Sequence, residues 1–137
     1  MNYRLVTKYL GFFILALGML MIPSLLWAVY FREWETLIAF CESIAVTIVI
    51  SLIFTLIGRK ASMKMFQREA LLIVALSWFV AAAVGALPYL ATGSLGVVDS
   101  FFESMSGFTT TGSTVIQDIE AQPKSLLFWR SLSQWLG

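Results

Sequence analysis

The residues most able to do chemistry lie between Asp99 and Val115, in the run DSFFESMSGFTTTGSTV. Its second half, Thr109-Thr110-Thr111-Gly112-Ser113-Thr114, has no charge and no large apolar side chain. Such a stretch has little to offer beyond backbone carbonyls and hydroxyls, which are hard oxygen donors suited to a desolvated cation. Rings of carbonyls aided by threonine hydroxyls replace the hydration shell of a potassium ion. Gly112 permits the positive φ that would aim neighbouring carbonyls the same way. Composition alone also fits a plain surface turn.

The first half of the run predicts a half-length helix. Ser100 and Glu103 have the S-x-x-E spacing of a capping box, and Phe101, Phe102, Met105 and Phe108 put apolar bulk on most of its circumference before Gly107 weakens it. Eight or nine residues at about 1.5 Å each give roughly 12–14 Å, less than half of a hydrocarbon core about 30 Å thick. Such a helix enters a membrane without crossing it. Irregular backbone following it at membrane depth must be buried in protein or line a watery cavity, because lipid satisfies no N–H or C=O.

The rest of the chain reads as membrane scaffolding. Hydrophobic residues make up 59% of the 137 and charged residues 12%, against about 25% charged in soluble domains. The mean hydropathy is +0.86. This is an all-α integral membrane protein. A net charge of +1 and the lack of a basic stripe with interleaved aromatics exclude a nucleic-acid partner. One cysteine, Cys41, and no histidine exclude an intramolecular disulfide and a Cys/His metal site. No H-E-x-x-H, G-x-S-x-G or G-x-x-x-x-G-K motif occurs, so an enzyme is disfavoured.

Leu10 to Tyr30 carries no charge and is long enough to span. It is too long for a signal-peptide core and no A-x-A-like site follows, so it is expected to be a retained first helix, kinked or loosened by Pro23. Gly11 and Gly18 are candidate packing notches, or isolated glycines of the kind common in membrane helices with no role. Arg32-Glu33-Trp34-Glu35 connects it to a second helix, Thr36 to Gly58, and Trp27, Tyr30 and Trp34 sit like an aromatic belt. Glu42 is either a functional intramembrane carboxylate or, the preferred reading, a group that reaches the interface. A third helix is expected from Glu69 to Tyr89, ended by Pro88, with Ala81 and Gly85 spaced for close helix approach. After the Thr-rich loop, Pro123 suits the first turn of a last helix. On that helix Arg130 and Gln134 share a face. Arg130 is expected either to pair with a polar group near the loop or to anchor at the interface.

Arg4, Lys8, Arg59, Lys60, Lys64 and Arg68 are six of the nine basic residues and lie at one side of the first two spans. By the positive-inside rule that side, with the N-terminus, is cytoplasmic. The opposite connectors carry Glu33, Glu35, Asp99, Glu103, Asp118 and Glu120, an acidic outer mouth that would concentrate cations.

FFESMSGFTTTGSTV followed by PKSLLFWRSLSQWLG resembles the first pore loop, and the start of the helix after it, in the TrkH/KtrB superfamily of potassium transporters. Two extra helices before the pore unit make the TrkH branch the nearer likeness, and the resemblance covers essentially the whole chain. It implies a potassium-channel-like pore of four helix–pore loop–helix units with pseudo-fourfold symmetry. Residues 1–64 would be two leading helices and a basic loop. Residues 65–137 would be the first unit, its inner helix unfinished at Gly137, because thirteen residues reach only about 20 Å. No internal repeat supplies the other three units.

By that resemblance Thr109, Thr110, Thr111, Gly112 and Ser113 form one quarter of a selectivity filter, with Glu103 and Arg130 as possible pore support. Potassium is the transported substrate, with no cofactor and no other metal. The resemblance also implies a multi-pass protein of the bacterial inner membrane. Its partners would be the remaining pore repeats, a second copy in a homodimer, membrane lipid and a cytosolic Rossmann-type nucleotide-binding subunit. The alternative, from a different class, is a small non-transporting membrane protein that acts through helix packing at Ala81 and Gly85.

Overall fold

The computed structural model describes residues 3–59 and 66–137. Among them lie seven helices: α1 (Tyr3–Leu20), α2 (Ile22–Phe31), α3 (Trp34–Ile57), α4 (Gln67–Gly85), α5 (Leu87–Ala91), α6 (Val97–Phe108) and α7 (Lys124–Leu136). Three stretches are long and apolar enough to cross a membrane: Tyr3–Phe31, Trp34–Ile57 and Gln67–Ala91. Lys60 and Lys64, half of the expected basic loop, lie outside the described residues.

The first span begins at Tyr3, seven residues before the charge-free run, since Arg4 and Lys8 are helical and long basic side chains reach water from a helix end. Pro23 interrupts it as expected. The N–H of Met21 is shared between the carbonyls of Leu17 and Gly18, both at 3.2 Å, and a new helix starts at Ile22 with the proline in its first turn. Pro88 behaves differently from expectation. It opens α5 rather than ending the span, because a first-turn residue needs no intrahelical N–H partner. The N–H of Leu90 still reaches the Ala86 carbonyl at 3.1 Å.

α1 and α3 pack along a seam of glycines and hydroxyls. Ser43, Thr47 and Ser51 are buried at four-residue spacing on α3. The Ser51 hydroxyl donates across to the Gly11 carbonyl at 2.8 Å. A Cβ on Gly11 would stand 2.6 Å from Thr55 Oγ1, and one on Gly18 would stand 3.1 Å from the Thr47 methyl carbon. Both glycines are therefore notches, as in other close-packed membrane helices. The hydroxyls of Ser43, Thr47 and Thr55 are satisfied by carbonyls one turn back on their own helix, at 2.7, 2.7 and 2.8 Å.

α4 holds the segment that carries the loop. A Cβ on Gly85 would collide with Ser104 Oγ and approach the Phe108 ring to 2.6 Å, so α6 lies directly on α4. Trp129 of α7 donates its indole N–H to the Gly85 carbonyl at 3.0 Å and meets Phe108 edge-on at 6.2 Å. Ala81 is buried one turn away. Gly85→Ala is expected to destabilise the protein by about 1–3 kcal/mol through overpacking. The check is a lowered melting temperature of the detergent-solubilised protein, with Ala81→Leu shifting it in the same direction.

Candidate functional site

α6 starts at Val97, after Gly96 in extended conformation, a full turn earlier than a cap at Ser100 requires. This overturns the expected capping box. The early start is possible because Val97 and Val98 are exposed and Asp99 places a carboxylate in the first turn, where the helix dipole favours it. Ser100 Oγ lies 3.4 Å from the Leu95 carbonyl, and Glu103 faces inward one turn along. Its side chain is fully buried, so it does not belong to an acidic outer mouth either. Its oxygens accept from the Thr114 hydroxyl at 2.9 and 3.1 Å, the Val115 N–H at 3.1 Å and Arg130 Nε at 2.6 Å.

α6 ends at Phe108 and the chain turns sharply through two left-handed residues, Thr110 at φ 57° and Gly112 at φ 75°. The glycine was legible. The threonine was not, because a β-branched residue is a poor candidate for that region. Holding a non-glycine residue there costs on the order of 1–3 kcal/mol, a cost that recurs at functional sites.

The turn sorts the backbone groups by direction. The N–H groups of Thr110, Thr111 and Gly112 fold back on the end of α6, to the carbonyls of Gly107 (2.9 Å) and Ser106 (3.0 and 3.4 Å). Among the described residues, the carbonyls of Thr110 and Thr111 accept no hydrogen bond. Those of Thr109, Gly112 and Ser113 take, respectively, the Thr110 hydroxyl at 2.7 Å, Arg130 Nη2 at 3.3 Å and the Ser106 hydroxyl at 2.6 Å. Thr109 to Ser113 are all exposed. The loop also sits at the C-terminal end of α6, where the helix dipole is negative and favours a cation.

One guanidinium ties this arrangement together. Arg130, one-sixth exposed on its side chain at 17%, bridges the Glu103 carboxylate and the Gly112 carbonyl. Of the two expectations for Arg130, pairing beside the loop is the one observed. Gln134 also faces the loop, its Nε2 lying 3.9 Å from where a Gly112 Cβ would stand. α7 lies close because Gly107 leaves room for Ser133, whose Oγ a Cβ there would strike.

Thr109 to Ser113, Glu103 and Arg130 are thus brought together, while Glu42 lies exposed on α3 away from them. Sequence reasoning missed Ser106 and Thr114, whose hydroxyls pin the loop, since a serine or threonine among many carries no distinguishing signal.

Comparisons with known proteins bear on the family and the overall fold. The family described as TrkH, a cation transport protein, matches residues 36–137. The Trk system potassium uptake protein TrkH of Escherichia coli K12 is 36% identical over 140 residues, covering all of this chain and 29% of that protein. TrkH of Halomonas elongata is 35% identical over 141 residues, with the same coverage. An uncharacterised cation transporter of Methanocaldococcus jannaschii is 52% identical over 64 residues, 46% of this chain and 14% of its own. The crystal structure of the potassium transporter TrkH from Vibrio parahaemolyticus superposes with a TM-score of 0.92 at 30% identity, over 99% of this chain and 29% of that one. The chain therefore spans about 29% of the length of the TrkH relatives it matches.

Proposed function

Because the chain belongs to the TrkH family of cation transport proteins, we propose that it takes part in potassium uptake across a membrane and supplies one quarter of the selectivity filter. The observation that carries this reading is the sorting of the loop backbone: N–H groups turned onto α6, and the Thr110 and Thr111 carbonyls, on an exposed segment, left without partners among the described residues. Unpaired carbonyls on irregular backbone are tolerable at membrane depth only beside water or an ion, and dipoles fixed in this way replace a hydration shell.

In this reading α6 is a re-entrant pore helix, its 12 residues reaching about 18 Å. The ion meets Thr109 to Ser113 through carbonyls and hydroxyls. Gly112 supplies the turn, and Glu103 and Arg130 brace the loop from behind without touching the ion. The other three quarters come from pore repeats beyond these residues. Permeation makes and breaks no chemical bond, and the driving force is the electrochemical gradient.

The N-terminus lies in the cytoplasm and the loop enters from outside, an orientation supported by Arg4, Lys8, Arg59 and Arg68 at the opposite end from Glu33 and Glu120. The setting is a bacterial inner membrane. The assembly proposed is a homodimer in lipid with a Rossmann-type nucleotide-binding subunit on the cytosolic side. Packing at Ala81 and Gly85 serves this pore as scaffold.

The test is growth at low external potassium of cells stripped of their own uptake systems, carrying the intact transporter that contains these residues. Rescue is expected. Absence of rescue, with the protein present in the membrane, contradicts the proposal.

A further inference from the structure

The helix that carries Arg130 has no cap of its own. Residue 123, at its N-cap, is a proline that offers no side-chain hydrogen bond, so the N–H groups of Lys124 and Ser125 have no intrahelical partner. Both are taken by one residue more than ninety positions earlier. Glu33 Oε1 accepts from the Lys124 N–H at 2.7 Å and Oε2 from the Ser125 N–H at 3.0 Å, while the Ser125 hydroxyl donates to Oε2 as well.

One backbone turn and two ring contacts hold the two parts in register. Arg32, left-handed at φ 57°, ends α2 and swings the chain so that Glu33 projects toward α7. Trp27 stacks on Phe128 at 5.0 Å. Lys124 Nζ stands 4.4 Å over the Phe31 ring. The corner between the first two spans therefore clamps the start of α7. From Ser125 to Arg130 is about 7.5 Å along the helix axis. The same rigid turn and a half that Glu33 anchors carries the guanidinium that grips Glu103 and the Gly112 carbonyl.

We propose that Glu33 is a positioning residue for ion selection, a carboxylate from the leading hairpin that fixes the height and tilt of α7 and through Arg130 the Gly112 carbonyl. This rests on the reading of Thr109 to Ser113 as a filter. The charge complements the dipole of the helix it caps. Both carboxylate oxygens are committed to α7, so Glu33 is not a free charge gathering cations at the surface. The two leading helices thereby have a role beyond anchoring, because they set the geometry of the helix behind the loop.

The experiment measures the potassium over sodium permeability ratio of the intact transporter for wild type, Glu33→Gln, Glu33→Ala and Glu33→Ala combined with Pro123→Asp, at matched membrane abundance and at low and high concentrations of an impermeant salt. Glu33→Ala is expected to lower the ratio about threefold to tenfold, the size set by a lost cap and dipole partner. Glu33→Gln keeps one acceptor oxygen and falls between. Pro123→Asp in the double variant places a carboxylate that caps α7 locally, and it restores the ratio.

A ratio unchanged in both single variants, while Gly112→Ser lowers it, overturns this inference and leaves the filter reading intact. A ratio unchanged in Gly112→Ser as well removes the filter reading itself. A loss that Pro123→Asp does not repair and that disappears at high salt, where surface charge is screened, also overturns it, since Glu33 would then act as a charge at the mouth. If Glu33→Ala does not accumulate, Glu33→Gln with and without Pro123→Asp decides the matter by the same comparison.

Discussion

Gly112→Ser in the intact transporter is expected to lower the potassium over sodium permeability ratio at least several-fold while leaving the amount of protein in the membrane near normal. Gly112 sits at φ 75°, a region that costs a side-chain-bearing residue roughly 1–2 kcal/mol. Space is not the obstacle, since a Cβ there would meet nothing closer than 3.9 Å. The strain is therefore conformational, and the chain relieves it by rotating the peptides on either side of residue 112. Those peptides carry the carbonyls of Thr111 and Gly112, so the relief is gained at the expense of carbonyl aim. Potassium and sodium differ in how many dipoles they need and at what distance, so re-aimed carbonyls change the ratio before they change folding. Reversal potentials in mixed ion gradients give the ratio directly. An unchanged ratio would count against the filter assignment itself.

Arg130→Ala is expected to have the second large effect, here on stability and transport together. It leaves the fully buried Glu103 carboxylate with only the Thr114 hydroxyl and the Val115 N–H. Removing one partner of a buried ion pair costs about 3–5 kcal/mol, and the partial exposure of Arg130 puts this case toward the lower end. Arg130→Lys is not a substitute, because one ammonium cannot reach the carboxylate and the Gly112 carbonyl in the geometry of a planar fork. Neutralising both ends, with Arg130→Met and Glu103→Gln, removes the stranded charge and is expected to recover much of the melting temperature. Selectivity stays impaired, because nothing then holds the Gly112 carbonyl. Melting of the solubilised variants alongside flux measurements separates the two effects. A single Arg130→Ala variant that melts like wild type would contradict the bracing role.

How far the chain could be read beforehand depended on the range of each interaction. The spans were legible because long uncharged apolar runs have one stable environment, and Gly85 was legible as a notch because it stands four residues from Ala81. Gly11 and Gly18 were equally compatible with glycines of no packing role until the Thr55 and Thr47 side chains are seen against them. Errors arose where a local rule met a tertiary alternative. The S-x-x-E pattern at Ser100 and Glu103 fits a capping box, yet the carboxylate gains a guanidinium, a hydroxyl and an amide by turning inward. Pro88 is a helix breaker in isolation and a helix starter here.

Glu33 illustrates the limit most clearly. In sequence it is one acid in an acidic connector, and its role depends on Lys124 and Ser125, more than ninety residues away, with no periodicity to link them. Thr110 was illegible for the opposite reason. Its conformation is local, but its residue type argues against it, and it is held by the bond from its own N–H to the Gly107 carbonyl and by those from the next two N–H groups to the Ser106 carbonyl.

Whether the loop from Thr109 to Ser113 holds the ion is decided most directly by a structure of the intact transporter in rubidium, a heavier stand-in for potassium, with its anomalous scattering recorded. A rubidium peak is expected on the pore axis within coordinating distance of the Thr110 and Thr111 carbonyls, lost on exchange into sodium. Rubidium bound elsewhere in the protein, with this loop bare, would contradict the filter assignment.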